Sequence, residues 1–164
     1  AAAFQYYENG DTKAVKLPYE NGLSMVVVLG DTKNILNDIH NNKMTSKLVD
    51  VSLPKFKAEY SIDYVNILKN MGIEKAFDNQ NADFSLMLEN YPERIKIDSV
   101  LQKAMIDVDE KGTEAAAATV AVLTKSALSV DEEVIEFRAD KPFTYYILDD
   151  SGNVYFAGRY VKAE

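Results

Sequence analysis

Apolar residues return at every second position in one segment after another, so strands dominate the reading and helices are few and short. Ala14-Val15-Lys16-Leu17 and Leu23 to Leu29 flank Glu20-Asn21-Gly22, where Asn-Gly suits the positive φ of a tight hairpin. Glu8-Asn9-Gly10-Asp11 is a similar turn just before it. Val49, Val51 and Leu53 alternate with Asp50 and Ser52 as a half-buried strand. Beyond Pro54 the phase inverts: Phe56, Ala58, Tyr60 and Ile62 stand against Lys55, Lys57, Glu59 and Ser61. A one-residue slip moves every side chain to the other face. Pro54 cannot donate to a ladder, so this extended segment is expected to break there and serve two cores.

Two stretches carry helical spacing instead. Lys33 to Asn41 puts Ile35, Leu36 and Ile39 on one face, with Thr32 or Asp31 as the expected cap. Asp63 to Gly72 has Asp63 as cap, a stripe of Tyr64, Ile67, Leu68 and Met71, and Gly72 as its stop. Ala76 to Pro92 is irregular. Ile95 to Val108 returns to strand, with Ala104, Ile106 and Val108 against Lys103, Met105 and Asp107. Val134 to Phe137, Pro142 to Leu148 and Val154 to Tyr160 close the chain as strands, the last two joined through Asp150-Ser151-Gly152-Asn153. The fold class is α+β, strand-dominated. With no repeat and no linker-like composition, the 164 residues read as one domain.

One stretch resists this scheme. In Lys111 to Val122 the four alanines Ala115 to Ala118 favour helix, yet they run into Thr119-Val120-Ala121-Val122, which favours extended chain. No amphipathic stripe would hold a short helix there.

Composition narrows the chemistry. A net charge of −8 with scattered basic residues, the densest pair being Lys55 and Lys57, argues against a nucleic-acid partner. No apolar run approaches a membrane span, and Ala1-Ala2-Ala3 opens nothing that resembles a signal peptide, so no membrane association is expected. The absence of cysteine excludes disulfides, thiolate catalysis and cysteine zinc sites. His40 is the only histidine, too few for a triad or a multi-histidine metal site, and is expected as a solvated helix-end residue. Asp107-x-Asp109-x-Lys111-Gly112 fails as a calcium loop, because Lys111 and Ala118 stand where oxygen ligands belong. Tyr6-Tyr7 and Tyr145-Tyr146 read as strand packing rather than sugar platforms. Neither catalysis, nor a cofactor, nor a metal is expected.

The run Lys16-Leu17-Pro18-Tyr19 with Leu23-Ser24-Met25-Val26, then Val51-Ser52-Leu53-Pro54-Lys55-Phe56, resembles the C-terminal half of a serpin, a serine protease inhibitor. The likeness continues through Ala82-Asp83-Phe84-Ser85, Lys103 to Thr119, Phe137-Arg138-Ala139-Asp140-Lys141-Pro142-Phe143 and Phe156-Ala157-Gly158-Arg159, in the family's order and over nearly all of the chain. The resemblance implies suicide-substrate inhibition. An exposed reactive-centre loop, about residues 110–133, is cleaved by a target serine protease to an acyl-enzyme, and its hinge then inserts as a strand into a large sheet. On this pattern the hinge is Glu110, Lys111, Gly112, Thr113, Glu114, Ala115, Ala116, Ala117, Ala118 and Thr119. Extended alternation places Thr113, Ala115, Ala117 and Thr119 on one small, uncharged face and Glu114 on the other.

The scissile bond has four flanking candidates, Lys125, Ser126, Ala127 and Leu128. Ser126-Ala127 is preferred and suits an elastase- or subtilisin-like protease; Lys125 would suit a trypsin-like one and Leu128 a chymotrypsin-like one. Family members usually run to more than twice this length, and the absent part is N-terminal. The resemblance therefore implies the C-terminal strands of the smaller sheets plus two strands of the large one, Phe56 to Ile62 and Ile97 to Asp109. The hinge is expected to fold back antiparallel on Ile97 to Asp109. The alternative is a truncated, non-inhibitory fragment with a structural or partner-binding role, its uncovered edges seeking the N-terminal half or a second copy. An extracellular or cell-surface location is expected, with the cytoplasm left open.

Overall fold

A computed structural model describes residues 1–87, 95–109 and 133–161. The chain divides into two compact units, Ala1–Phe56 with Val108–Glu164, and Lys57–Asp107.

The first unit is built on a seven-stranded sheet. Its strands are β1 (Ala2–Asn9), β2 (Thr12–Pro18), β3 (Leu23–Leu29), β4 (Thr45–Ser52), β7 (Ile135–Arg138), β8 (Phe143–Asp149) and β9 (Val154–Tyr160), in the spatial order β7-β4-β1-β2-β3-β8-β9. Neighbours are antiparallel except β4 and β7, which pair in parallel from Val49 opposite Ile135 to Ser52 opposite Arg138. Both Asn-Gly turns fall where the alternation placed them. Asn9 pairs with Thr12 across Gly10, and Gly10 and Gly22 have φ of +59° and +78°. The central strands are dry on both faces: Val26, Val27 and Val28 are fully buried, which is why they read as an unbroken aliphatic run.

On one face, the helix α1 (Ile35–His40) seats Ile35 among Tyr7, Ala14, Val26, Val28 and Leu148. This corrects the expected stripe in two places. Leu36 is 38% exposed, and the buried partner of Ile35 is Asp38, three residues on and therefore on the same face. Neither Thr32 nor Asp31 is the cap: Asn34 occupies that position, and Asp31 accepts instead from the Lys33 N–H in the turn before.

The phase inversion at Pro54 marks a change of sheet. β4 ends at Ser52 in the seven-stranded sheet, and β5 (Phe56–Asp63) belongs with β6 (Leu101–Val108) to a separate two-stranded sheet. The strand expected from Ile95 or Ile97 begins only at Leu101, residues 95–100 having no ladder partner among the described residues. Within β6 the alternation holds: Ala104 and Ile106 are half-buried and Val108 buried, while Lys103, Met105 and Asp107 are exposed.

In the second unit, α2 (Val65–Asn70) follows β5. Asp63 is not the expected cap: Tyr64 occupies that position, and Asp63 accepts from the Val65 N–H at 3.0 Å in the turn before. Gly72, at φ +94°, follows the helix end in the left-handed conformation open to glycine. The expected apolar stripe is only partly covered by the described residues: α2 has no buried residue, Tyr64 and Leu68 are half-buried, and Ile67 and Met71 are 39% and 74% exposed. Single turns of tighter helix at Lys75–Phe77 and Ser85–Met87 punctuate the irregular stretch.

Candidate functional site

All fourteen residues singled out from the sequence, the hinge Glu110 to Thr119 and the candidates Lys125, Ser126, Ala127 and Leu128, lie outside the described residues, as does the expected fold-back of the hinge on β6. The two frames from which that segment departs and to which it returns are described, each in its own unit.

The upstream frame is the β5–β6 pair. Asp63 ties the end of β5 to the approach of β6: its carboxylate accepts from the Val65 and Val100 N–H groups and from the Ser99 hydroxyl, while the Tyr64 N–H donates to the Val100 carbonyl at 2.8 Å. These donors, led by the two backbone N–H groups, hold the Asp63 carboxyl below the ordinary aspartate range. Beyond this pin several large apolar side chains of the pair are left exposed by the described residues. Tyr60, Leu101 and Met105 are 56%, 69% and 60% exposed, and among the described residues β6 has β5 as its one ladder neighbour. A strand with a free ladder edge and apolar side chains in water is a surface that accepts another strand.

The downstream frame is the opposite. β7 is only four residues long, yet Phe137 is fully buried, and the Ala139 N–H donates to the Ser52 carbonyl at 2.8 Å just past the ladder. Arg138 reaches back along the exposed face to Glu136 with two hydrogen bonds, of 3.1 and 3.2 Å. That guanidinium holds the Glu136 carboxyl below its ordinary range. Leu53 and Pro54, Arg138 and Ala139 line an open groove on this side.

Two further constellations escaped the sequence reading. Phe56, Phe143, Tyr145 and Tyr160 form an aromatic cluster, with Phe143 and Tyr160 stacked at 5.0 Å. Tyr145 lies across Gly158 of the neighbouring strand, its register partner, where a Cβ would collide with the ring. A lone glycine inside an alternating strand was the available signal. The second is the Asp38 carboxylate, which accepts from the Tyr7 hydroxyl at 2.5 Å and from Lys43 Nζ at 2.7 Å. Lys43 first and Tyr7 second hold that carboxyl below its ordinary value of 3.8. His40 sits at the C-terminal end of α1. Among the described residues no group of three or more His, Asp or Glu side chains is placed to hold a metal ion, and no helix is long and apolar enough to cross a membrane.

Comparison with known proteins falls on the same pattern. The family model for serpins, serine protease inhibitors, matches residues 1–163. An uncharacterised serpin-like protein of Thermococcus kodakarensis is 37% identical over 95% of this chain and 38% of its own length. Serine proteinase inhibitor 2 of cowpox virus is 35% identical over 92% of this chain and 46% of its own. The crystal structure of Serpin48, a highly specific serpin of the insect Tenebrio molitor, superposes with a TM-score of 0.70 at 33% identity, covering 99% of this chain and 44% of that one. The chain thus spans less than half the length of these relatives. Matched by the family model along almost all of its residues, the chain belongs to the serpin family.

Proposed function

We propose that residues 1–164 are the C-terminal part of a serpin-type inhibitor of serine proteases, working through a reactive-centre loop at about residues 110–133. The observation that carries the reading is the union of a hinge sequence, Glu110 to Thr119, with a strand that has one ladder neighbour, β5, among the described residues: β6 ends at Val108, two residues before that sequence begins. Ser126-Ala127 is the scissile bond of this proposal, flanked by the alternatives Lys125 and Leu128, and an elastase- or subtilisin-like protease is the target. The family likeness and the cowpox relative's name support the general kind of partner.

Energies decide how much of that mechanism one chain carries. Ordering the ten residues 110–119 costs about 10–20 kcal/mol of backbone entropy, at roughly 1–2 kcal/mol each. One ladder edge returns about one hydrogen bond per residue, worth roughly 0.5–1.5 kcal/mol each, or about 5–15 kcal/mol in all. A strand paired on both sides gains about twice that. Insertion therefore becomes decisive only when a second wall of the slot is present, and the N-terminal portion carried by longer relatives is the partner that supplies it. The exposed Tyr60, Leu101 and Met105 favour one other reading, a non-inhibitory fragment whose bare faces dock on that portion or on a second copy.

Incubation with elastase, subtilisin, trypsin and chymotrypsin separates these readings. Cleavage between Ser126 and Ala127, read by N-terminal sequencing of the released piece, is expected. With the N-terminal portion of a longer relative supplied in trans, a protease complex that survives denaturant assigns inhibition, and clean cleavage without one assigns the non-inhibitory fragment. A cut only outside 124–129 defeats the loop assignment.

A further inference from the structure

The tetrapeptide Tyr-Glu-Asn-Gly occurs twice, as Tyr7-Glu8-Asn9-Gly10 and as Tyr19-Glu20-Asn21-Gly22. Both copies make hairpin turns with an exposed asparagine and a glycine at positive φ, and no side chain or backbone atom crowds either glycine. The chemistry such a pair invites is intramolecular. The backbone nitrogen of the glycine, giving its proton to water or hydroxide, attacks the asparagine Cγ. The Cγ–Nδ2 bond breaks and ammonia leaves, closing a five-membered cyclic imide. Water then opens the ring at one carbonyl to aspartate, or at the other to isoaspartate, in which the main chain runs through the side chain. No oxidant or reductant takes part.

Identical sequence gives the two asparagines the same intrinsic tendency, and the fold separates them. Asn9 is the last residue of β1 and pairs with Thr12, so its backbone is fixed by the ladder that closes the turn. Its side-chain Nδ2, the leaving nitrogen, donates to the Tyr7 hydroxyl at 3.4 Å, two residues back along the strand. Asn21 stands outside any ladder. β2 ends at Pro18 and β3 begins at Leu23, and the loop between them is closed by the Tyr19 N–H donating to the Leu23 carbonyl at 2.8 Å. Asn21 can therefore take up the ring geometry without breaking a strand hydrogen bond. Its Oδ1 also accepts from the Leu23 N–H at 3.2 Å. That contact ties the side-chain carbonyl to the backbone two residues on, across the Gly22 peptide. It also places a donor on the oxygen where negative charge gathers as the nitrogen attacks, the arrangement that stabilises an oxyanion.

We infer that Asn21-Gly22 is a self-modification site of the folded chain, converting spontaneously to aspartate and isoaspartate, while the identical pair Asn9-Gly10 is protected by its strand. Conversion adds one negative charge beside Glu20. The isoaspartyl product lengthens the backbone of a loop whose flanking strands carry the fully buried Val15 and Val27.

Trypsin makes the test direct, because Ala1 to Lys13 contains Asn9 as its sole asparagine and Leu17 to Lys33 contains Asn21 as its sole asparagine. The native chain is held at mildly alkaline pH and body temperature. Digests at intervals are scored by mass for amide-to-acid conversion and by isoaspartyl methyltransferase for isoaspartate. Leu17 to Lys33 is expected to convert several-fold faster than Ala1 to Lys13 in the folded chain, and the two rates to converge in concentrated urea. Equal rates in the folded chain, faster conversion at Asn9, or a ratio unchanged by urea would overturn the inference. Gly22→Ala should slow conversion of its own peptide alone; because the main comparison uses the unaltered chain, it stands even where that variant folds poorly.

Discussion

Replacing Gly158 by alanine tests the packing of the seven-stranded sheet at one atom. A Cβ on Gly158 would stand 2.9 Å from Tyr145 Cε1 and nearer still to Cζ and Oη. Carbon atoms rest at about 3.5–4.0 Å, so the ring must retreat by roughly 1 Å or more. It has little room. Tyr145 is 6% exposed, with ring centroids 5.4 Å from Phe56 and 6.5 Å from Phe143. Two responses compete. Strained repacking costs about 1–3 kcal/mol, whereas expelling the ring and leaving its cavity costs about 3–5 kcal/mol, as aromatic truncations do. Repacking is cheaper and should prevail.

Gly158→Ala should therefore lower stability by about 2 kcal/mol, which for a chain of this size moves Tm by about 4–8 °C. With ten tyrosines and no tryptophan, urea unfolding is followed by tyrosine fluorescence alongside far-ultraviolet circular dichroism. A double-mutant cycle makes the attribution strict. In a Tyr145→Val background the obstacle is gone, and the same glycine change should be neutral or stabilising by about 0.5–1 kcal/mol, the usual gain from replacing a strand glycine. An equal cost in both backgrounds, or none in the parent, would refute the account of the glycine as a slot for the ring.

Other outcomes follow from the same physical terms. Asp38→Ala should cost about 1.5–3 kcal/mol, the range for hydrogen bonds to a charged group, measured by urea midpoint; Asp38→Asn should cost less, since Tyr7 keeps an acceptor. The Asp38, Asp63 and Asp149 carboxyls all titrate below their ordinary value of 3.8 in the folded chain, so the unfolded chain binds protons first as pH falls. Their stabilisation is complete above that value and is lost as pH drops through the lower folded values. Midpoints should accordingly be flat from neutrality to about pH 5 and fall below it, less steeply in Asp38→Asn. Gly30→Ala should destabilise by about 1–2 kcal/mol or more on differential scanning calorimetry, because its φ is +95° and its Cβ would press on the Asp11 carbonyl.

The sheet was legible because alternation, glycine turns and Pro54 are local signals, and each maps onto a strand, a hairpin or the crossing between sheets. What escaped was set by distant partners. Asp38 is buried only because Tyr7, in β1, reaches it, and no spacing within the helix announces a tyrosine thirty-one residues away. Leu36 is exposed for the same reason: helical spacing proposes a face, but the sheet decides how much of it is covered. In the second unit helical spacing proposes the stripe Tyr64, Ile67, Leu68 and Met71, yet Ile67 and Met71 are exposed and no residue of α2 is buried among the described residues. The hinge was legible by family likeness, since its mixed propensities by themselves leave helix and strand unresolved.

The two frames of the proposed loop differ in how firmly the fold holds them, and the difference runs in the direction the mechanism needs. Downstream, Phe137 is wholly buried, and truncating such a side chain to alanine typically costs about 3–5 kcal/mol, a large part of a domain's stability. Upstream, Leu101 and Met105 are mostly in water, and their replacement by serine should change stability by no more than about 0.5 kcal/mol. Segments that must move are drawn from the part of a fold with the fewest buried contacts. On the proposed mechanism, a loop held firmly at β7 and weakly at β6 would release its hinge at the β6 end while its far end stayed fixed. Were the proposed hinge to join β6 as a strand, the exposed Leu101 and Met105 would be the side chains it meets there.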